Sequence, residues 1–416
     1  MDPSLLLAVA AGKATAATIR RLGRGGGTTL PGRVSSRIDS HALQKLSSRL
    51  SGGSVLVAGT NGKTTTATLL RTILQQAGVA VVANSAGSNM VGGLTAAVVA
   101  GSGLSGRTRA EAGVFEVDEA SLPAAVEAIA PRLVVVTNLF RDQLDRYGEL
   151  ESSSAAISSA LAALPSASSA LLCADDPRVA AMGEGLRARA VYFGLEDEAL
   201  GETEVPHAAD ARFCPRCGRP FEFDRVYAGH LGHYRCPSGD LVRPDPDVRG
   251  TELHFDGLAS QQMKVSGLGF EGTMLEVPLS GIYNSYNILA AAAAAALFGI
   301  APARVVPALR TFRPAFGRLE EVDVAGRAVR LMLAKNPAGF NEVLRASRVL
   351  GGGRRFVVAL NDRIADGRDV SWIWDVDFEL LADAEWIVVT GDRALDMRVR
   401  LKYAGLDPVR VTVAPT

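Results

Sequence analysis

Residues 55–66 read Val-Leu-Val-Ala-Gly-Thr-Asn-Gly-Lys-Thr-Thr-Thr. The apolar run that ends at Gly59 is typical of a buried β-strand, and the polar residues behind it lead directly into a segment that favours a helix. Glycines allow a backbone to wrap closely around an anion, and the N–H groups at a helix start point toward it. The sequence therefore predicts a phosphate-binding loop built from Gly59, Thr60, Asn61, Gly62, Lys63, Thr64 and Thr65.

Two side chains of this loop have the chemistry that a nucleotide site needs. Lys63 can reach the terminal phosphates of a nucleoside triphosphate, and the Thr64 hydroxyl can hold Mg²⁺. The spacing departs from the standard Walker pattern, because Val57 stands where that pattern has its first glycine. A glycine-rich turn before an ordinary helix is the alternative interpretation, but the Gly-Lys-Thr ending favours ATP binding.

The bulk composition narrows the class of protein. A chain of 416 residues is expected to form two or three domains. Lys and Arg together number 44, as do Asp and Glu, so no overall field favours nucleic acid or an anionic membrane. Four cysteines in this length indicate a reducing compartment. The apolar run at 5–19 is too short to span a bilayer, so we expect a helix packed on the body of a cytoplasmic protein.

Apolar runs that alternate with alanine-rich segments predict a doubly wound α/β fold with a parallel sheet. Strands are expected at 55–58, 79–83, 112–115, 133–136 and 170–174. We expect an N-terminal segment at 1–50 packed on a central ATP-binding domain at 51–312, which contains a cysteine-rich insertion at 207–247. Residues 313–416 are expected to form a smaller C-terminal α/β domain, with strands at 355–360, 386–390 and 409–413.

Polar residues follow two of the predicted strands at the edge where a parallel sheet binds its ligands. Glu116 lies at the end of one strand, where a carboxylate can share Mg²⁺ with Thr64. An ordinary solvated acid is the alternative for Glu116. Thr137 and Asn138 follow the next strand and open a polar cluster of the kind found in catalytic loops.

The motifs of the chain resemble those of the Mur ligase family in the same order. They are Gly59 to Thr65, Glu116, Thr137-Asn138, Asn284 to Asn287, Gly317-Arg318 and Asn336-Pro337. Further segments at 84–90, 142–148, 335–339 and 361–375 resemble the MurT branch, the synthetase subunits of lipid II isoglutaminyl synthase. The resemblance covers essentially the whole chain.

The resemblance implies a reaction and a set of residues. ATP would phosphorylate the D-glutamate α-carboxylate in the stem peptide of lipid II, and ammonia would displace the phosphate to give D-isoglutamine. Lys63 and Glu116 would be catalytic, while Asn138, Asn284, Asn287 and Arg318 would join the loop in binding ATP. The alternative for Asn284 and Asn287 is that each is a helix N-cap. The alternative for Arg318 is a surface ion pair.

Ammonia would have to come from another chain. A glutaminase needs an activated nucleophile, and Cys173, at the end of an apolar strand, is expected to be a buried small hydrophobe. The resemblance implies a partner, a GatD-like glutamine amidotransferase whose active site an Asp of this chain completes. Asp366 is favoured among Asp362, Asp366, Asp369 and Asp375, because Gly367 permits a tight turn there. Trp372 and Trp374 would lie either in that interface or in a core.

The cysteine-rich insertion departs from the two Cys-x-x-Cys pairs of the relatives. Cys214, Cys217 and Cys236 are present, but Gly239 stands in the fourth position. Three thiolates leave tetrahedral Zn²⁺ short of one ligand. We expect structural zinc with His233 as the fourth ligand; His230 and, less favourably, Asp240 are alternatives, as is a hairpin held by packing without metal.

Two other functions compete with amidation. An amino-acid-adding Mur or folylpolyglutamate-type ligase would carry His where Gln143 stands and would lack the cysteine insertion. A nucleotide-binding scaffold for a glutaminase would not need the metal-phosphate set Lys63, Thr64 and Glu116. The sequence therefore favours the ligase that acts with ammonia on lipid II at the inner membrane face.

Overall fold

The computed structural model describes residues 2–22, 29–85, 87–141, 150–206, 209–257, 259–313, 318–349, 355–363 and 368–414, without the side chains of 318–321 and 348–349. Asp366 and Gln143 lie outside these residues. Within them, none of the helices combines the length and the apolar composition that a membrane crossing requires.

A nine-stranded sheet forms the centre of the molecule, in the order β11-β10-β9-β6-β5-β4-β1-β3-β2. Its parallel part contains β1 (Gly53–Ala58), β2 (Val81–Ala83), β3 (Ala112–Glu116), β4 (Leu133–Val136), β5 (Ser169–Cys173), β6 (Arg189–Leu195) and β9 (Val248–Asp256). The order turns in both directions from β1, as in a doubly wound fold. The predicted strands lie within two residues of the observed ones. Among them β1, β3, β4 and β5 are apolar runs buried almost throughout, as expected for strands covered on both faces.

Two antiparallel strands extend the sheet in a way that the sequence analysis did not predict. These are β10 (Ser260–Gly267) and β11 (Phe270–Val277), and β10 pairs with β9. The insertion contributes a separate hairpin of β7 (Glu222–Ala228) and β8 (Leu231–Arg235). A small core beneath this hairpin joins the insertion to Ala180 of the central domain. Its members from the insertion are Cys214, Phe221, Tyr234, Cys236 and Leu241.

Helices cover the sheet and supply the crossovers between its parallel strands. They are α1 (Pro3–Arg21), α2 (Leu30–Ile38), α3 (Ala42–Ser47), α4 (Lys63–Gln76), α5 (Val91–Gly101), α6 (Leu122–Ile129), α7 (Leu150–Ala162), α8 (Pro177–Ala181), α9 (Ile282–Leu297) and α10 (Pro302–Arg310). The run at 5–19 forms most of α1, as expected, and its Leu5, Ala8 and Val9 are buried in the main core. The alanine-rich α9 is buried from Ser285 to Ala295, where small side chains let it lie against α4.

The C-terminal part has its own hydrophobic core and its own sheet. A hairpin of β12 (Arg318–Val324) and β13 (Arg327–Met332) leads to α11 (Pro337–Val349). A three-stranded parallel sheet follows, with β14 (Arg355–Ala359), β15 (Trp386–Thr390) and β16 (Val411–Val413), and α12 (Ala394–Tyr403) packs on it. This part meets the central sheet at the loop between β1 and α4, where the candidate site lies.

Candidate active site

Lys63 is the first residue of α4 and is held inside the loop that precedes it. Its Nζ donates to the carbonyl oxygens of Gly59 at 2.6 Å and Thr60 at 3.3 Å, and lies 2.7 Å from Oε1 of Glu119. Gly59 and Gly62 have φ values of +119° and +85°, which favour glycine. A Cβ on Gly62 would also clash with the Asn287 amide. The loop therefore keeps its backbone N–H groups and one ammonium group close together, as binding a polyphosphate requires.

Thr64 and Glu116 are brought together as the sequence predicts. The Thr64 hydroxyl donates to Oε2 of Glu116 at 2.8 Å, across the gap between α4 and the end of β3. Asn84 fixes the backbone of Glu116, because its Oδ1 accepts from the Glu116 N–H at 3.0 Å. A hydroxyl and a carboxylate beside a phosphate loop are the oxygen donors that Mg²⁺ takes in such sites, so this pair fits the ion.

Asn138 connects the loop after β4 to the phosphate loop. Its Oδ1 accepts from the Asn61 N–H at 2.9 Å, and its Nδ2 donates to the Asn61 carbonyl at 3.1 Å. Thr60 is held in the same way, because its N–H donates to the Asn138 carbonyl at 2.9 Å. The contact of Asn138 is thus with the backbone of the phosphate loop, which it shapes.

Asn284 and Asn287 lie on the first turns of α9, facing the phosphate loop. Asn287 accepts from the Thr66 hydroxyl at 3.3 Å and donates to Oδ1 of Asn284 at 3.2 Å. Neither residue is a helix N-cap, because the helix begins at Ile282 and Gly281 precedes it. The N-cap interpretation of the sequence is therefore wrong, whereas a role in holding the base stays a prediction.

The C-terminal part closes one side of a cavity of about 430 Å³ over the phosphate loop. Asn336 donates from Nδ2 to Oδ1 of Asn61 at 3.0 Å and accepts at Oδ1 from the Gly339 N–H at 2.8 Å. It thereby holds the start of α11 and the phosphate loop together. Glu342 and Arg345 form an ion pair of 2.9 Å on the same wall. Burial raises the pKa of Glu342 to about 7, although Arg345 opposes the shift.

The predicted acids Asp362, Asp369 and Asp375 do not line this cavity, and Asp366 is outside the described residues. Arg318 begins β12, and its main chain pairs with Met332, but its side chain is outside the described set. Asp362 pairs with Arg393 at 3.1 Å, and Asp369 accepts from the Ser371 N–H at 2.8 Å. Asp375 reaches the central part instead, where it lies 3.0 Å from Arg141.

The three cysteines of the insertion converge. Their sulfur atoms all lie within 4.8 Å of one another, and the Sγ atoms of Cys217 and Cys236 are 3.3 Å apart. Oδ2 of Asp240 lies 4.0 Å from the Cys236 sulfur. Burial raises the pKa of Cys236, but the Ser238 N–H and the neighbouring thiols outweigh it and lower that pKa to about 7. Three converging thiols, one of them easily deprotonated, fit Zn²⁺.

The structure does not bring His233 to this cluster. Its Nε2 lies 2.8 Å from the Leu195 carbonyl and 3.6 Å from a Glu196 carboxylate oxygen. Successive side chains of a strand point to opposite faces, and Tyr234 rather than His233 shares the core of Cys236. His230 is buried elsewhere, against Phe140. Of the three candidates for the fourth ligand, Asp240 is the one that lies beside the cysteines.

Sequence reasoning missed Glu119, Asn336 as a domain bridge, and Glu342. Glu119 follows Glu116 by three residues, and its position in the Glu-Val-Asp-Glu run was the available signal. The contact of Asn336 with Asn61 joins residues 275 positions apart, and no local pattern reports it.

Known proteins resemble this chain along most of its length. The family model for the MurT ligase C-terminal region matches residues 333–416, and that for the Mur ligase middle domain matches residues 57–214. The MurT subunit of lipid II isoglutaminyl synthase (glutamine-hydrolyzing) from Staphylococcus aureus strain N315 is 32% identical, over 92% of this chain and 84% of its own length. The same subunit from Streptococcus pneumoniae strain R6 is 32% identical, over 99% of this chain and 90% of its own.

Solved structures of related ligases share the fold. The pseudomurein peptide ligase type C from Methanothermus fervidus aligns with a TM-score of 0.65 and 24% identity, over 88% of this chain and 67% of its own. At this identity the likeness concerns the fold alone. It confirms the expected α/β class, with a central parallel-sheet domain followed by a C-terminal domain.

Proposed function

Because this chain belongs to the MurT family, a branch of the Mur ligases, we propose that it amidates the stem peptide of lipid II. The γ-phosphate of ATP passes to the α-carboxylate of D-glutamate, which gives an acyl phosphate and ADP. Ammonia then attacks the acyl carbon, the C–O bond to phosphate breaks, and D-isoglutamine and inorganic phosphate are released. The two bacterial relatives are named as subunits of a glutamine-hydrolyzing lipid II isoglutaminyl synthase, which supports this choice of substrate and nitrogen source.

The convergence of Lys63, Thr64 and Glu116 at one end of the sheet carries the proposal. Phosphoryl transfer depends mainly on positioning and on neutralising charge. Lys63 would leave Glu119 and bind the γ-phosphate, while the N–H groups of the glycine loop hold the chain of phosphates. Mg²⁺ bound by Thr64 and Glu116 would supply the remaining charge neutralisation. A scaffold without turnover would have no use for this set.

The nitrogen donor is proposed to be a GatD-like glutaminase subunit. Cys173 is fully buried, and burial raises its pKa well above the ordinary value, so it is a poor nucleophile. The other three cysteines of the sequence lie together in the insertion. We propose Asp366, outside the described residues, as the acid that completes the active site of the partner.

An exposed apolar stripe on the C-terminal part suits the docking of this partner. Leu395, Val399 and Tyr403 recur every four residues on α12 and are all exposed. Trp374, half exposed, lies against Tyr403 with ring centroids 5.6 Å apart. Trp372 packs on Phe340 beside the core instead. Exposed aromatic side chains of this kind anchor interfaces, so Trp374 is the better interface candidate of the two.

The cysteine cluster is proposed to hold structural Zn²⁺, with Asp240 as its fourth protein ligand. The 4.0 Å between Oδ2 of Asp240 and the Cys236 sulfur is compatible with two ligands of one tetrahedral ion. The cluster lies in the insertion, and none of its residues lines the cavity over the phosphate loop.

Mass spectrometry of the reaction product tests the proposal. The chain is purified with a GatD-like subunit and incubated with lipid II, Mg²⁺, ATP and either glutamine or ammonium chloride. We expect a loss of about one mass unit per stem peptide, which is the change from carboxylate to amide. Lys63→Ala should abolish it with both nitrogen sources. Incorporation of an added amino acid would support the amino-acid-adding alternative. Absence of ATP turnover would support the scaffold alternative.

A further inference from the structure

We propose that His230, in the cysteine-rich insertion, is a positioning residue for the phosphate loop (residues 59–65). It acts on this loop through Asp176. Its Nε2 lies 3.2 Å from Oδ2 of Asp176, and the side chains of both residues are completely buried. His230 belongs to the turn between β7 and β8, whereas Asp176 follows β5 of the central sheet. The insertion therefore contacts the central domain through a polar bond at this point.

Asp176 passes this contact on to the loop after β4. The same Oδ2 atom accepts from the Leu139 N–H at 2.7 Å, while Oδ1 accepts from the N–H groups of Arg178 and Val179. Burial raises the pKa of Asp176, but His230 and the backbone donors outweigh it and lower that pKa below its ordinary value. The carboxylate is thus ionised and orients the Leu139 N–H.

The loop that Asp176 orients is the loop that shapes the phosphate site. Asn138, next to Leu139, binds the backbone of Asn61 through its side chain. Phe140, on the other side, donates its N–H to the Thr60 hydroxyl at 2.9 Å and accepts from that hydroxyl at its carbonyl, 3.0 Å away. Any shift of Leu139 therefore moves the contacts on both Thr60 and Asn61.

The ring of His230 also packs against this loop. Its centroid lies 4.4 Å from that of Phe140, and Gly229 leaves no room for a larger residue beside the same ring. Among the described residues, Nδ1 of His230 has no hydrogen-bond partner. Because a carboxylate only accepts, we assign the ring proton to Nε2, which donates to Asp176. Burying a polar ring is costly unless it is hydrogen-bonded, so the bond to Asp176 offsets the burial of His230.

The neighbouring acid makes a parallel connection to the helix on the other side of the site. Asp175 is fully buried and pairs with Arg243 of the insertion at 2.7 Å. Its Oδ2 accepts from the Tyr286 hydroxyl at 2.5 Å. Tyr286 precedes Asn287, which contacts Gly62 and Thr66. The two acids after β5 thus connect the insertion to both sides of the phosphate loop, and His230 acts on the side of Asn138.

Matched substitutions separate positioning from folding. His230→Phe keeps a ring against Phe140 and removes the donor, whereas His230→Gln keeps a donor and removes the ring. Phe221→Leu is the control, because Phe221 lies in the small core at the insertion, where its ring packs on Phe223 and Tyr234. Affinity for a non-hydrolysable ATP analogue with Mg²⁺ is measured by calorimetry on the full chain, together with hydrogen exchange of a peptide that covers 137–141.

We expect His230→Phe to weaken analogue binding about five- to tenfold and to speed exchange in 137–141, as the loss of a bond to a charged group predicts. His230→Gln should bind close to wild type. Phe221→Leu should lower the melting temperature without changing affinity. If His230→Phe does not fold, His230→Leu takes its place.

Unchanged affinity and exchange in a folded variant without the donor would overturn the inference, and so would equal weakening by Phe221→Leu. The inference rests on the proposed function only through ATP binding, and the assay needs neither lipid II nor a partner. If wild type binds the ATP analogue and the His230 variants bind it equally well, the role of His230 is refuted but the proposed function is not. Wild-type protein that fails to bind would refute both proposals.

Discussion

Nζ of Lys63 lies 2.7 Å from Oε1 of Glu119, and both side chains are only 9% exposed. The lysine of the phosphate loop is therefore paired with a carboxylate of its own chain. A nucleotide that binds Lys63, as proposed, would have to replace this carboxylate as the partner of the ammonium group. Loss of the ion pair would then offset part of the free energy of nucleotide binding.

Replacing Glu119 by Gln should destabilise the empty protein and enlarge its response to nucleotide. Removing one partner of a buried pair leaves an uncompensated charge and costs about 3–5 kcal/mol in other proteins. ATP would restore the balance, so the rise in melting temperature with Mg²⁺ and an ATP analogue should exceed that of wild type. Thermal unfolding with and without the analogue measures both effects. The exposed Glu127, changed to Gln, is the control; equal behaviour of the two variants would refute the idea.

The Thr64 hydroxyl should be indispensable for turnover. Thr64→Val keeps the shape of the side chain but removes the oxygen that faces Glu116 at 2.8 Å, whereas Thr64→Ser retains it. We expect kcat/KM for ATP to fall by about 10²-fold or more in the Val variant, comparable to the loss of one charge-stabilising group. The Ser variant should stay within a few fold of wild type. Steady-state phosphate release over a range of Mg²⁺ concentrations tests this, and similar rates for both variants would contradict it.

Arg141 contacts two acids of unequal burial. We therefore expect substitutions of the two acids to lower the free energy of unfolding by different amounts. Asp210, in the insertion, has a side chain that is 6% exposed and accepts from the Arg141 N–H at 2.9 Å in addition to the guanidinium. Asp375, in the C-terminal part, is 39% exposed and contacts the guanidinium alone. Asp210→Asn should cost about 1–3 kcal/mol of unfolding free energy, and Asp375→Asn less than about 1 kcal/mol. Urea unfolding compares the two, and a larger loss for Asp375→Asn would be inconsistent with this order.

Zinc in the insertion should depend on Asp240 and not on His233. Purified protein is expected to contain one Zn²⁺ per chain, and a strong chelator should lower its melting temperature, because metal-binding energy contributes to folding. Asp240→Asn should release the ion at lower chelator concentration, whereas His233→Gln, whose ring faces Leu195, should retain it. Elemental analysis after graded chelation checks both variants. Loss of zinc from His233→Gln alone would favour the histidine.

The sequence predicts local structure well where one signal dominates. The strand at Leu133–Val136 is found at the predicted residues, because an apolar run of this kind is buried whichever way its neighbours are arranged. The antiparallel strands β10 and β11 were not predicted, because residues such as Gln261 and Glu276 interrupt their apolar pattern. The side chain of Gln261 donates to the Leu279 carbonyl and accepts from the Ser285 hydroxyl, two distant partners that the local sequence does not reveal.

The same distinction between local and long-range signals holds for the candidate site. Lys63, Thr64 and Glu116 follow from motifs at strand ends, because a parallel sheet gathers those ends at one edge. The pairing of Asn336 with Asn61 and the ring position of His230 depend on how distant segments pack. His233 was the predicted zinc ligand because Gly239 leaves the three cysteines one ligand short, but strand alternation turns it away from the cysteines. The domain boundaries and the roles of individual site residues stay predictions.

The partly buried ion pair of Glu342 and Arg345 should make the free energy of unfolding depend on pH. In the unfolded chain, a glutamate loses its proton near its ordinary pKa of 4.5, whereas burial raises the pKa of Glu342 in the folded protein to about 7. The folded state therefore binds more protons between these values. Stability should fall as pH rises through this window and level off above pH 7, by no more than about 3 kcal/mol.

Glu342→Gln removes the titrating carboxyl group and, with it, this contribution to the pH dependence of the free energy of unfolding. Its loss of the Arg345 contact acts at every pH, so only the change between pH 5 and pH 8 is informative. We expect wild type to lose more unfolding free energy than Glu342→Gln over that interval, as measured by urea unfolding. Glu385→Gln is the matched control, because Glu385 pairs with Arg355 in the same part of the chain but is 52% exposed, where solvent keeps both charges hydrated. Parallel pH profiles for wild type and Glu342→Gln would show that Glu342 is ionised throughout and that Arg345 compensates for its burial.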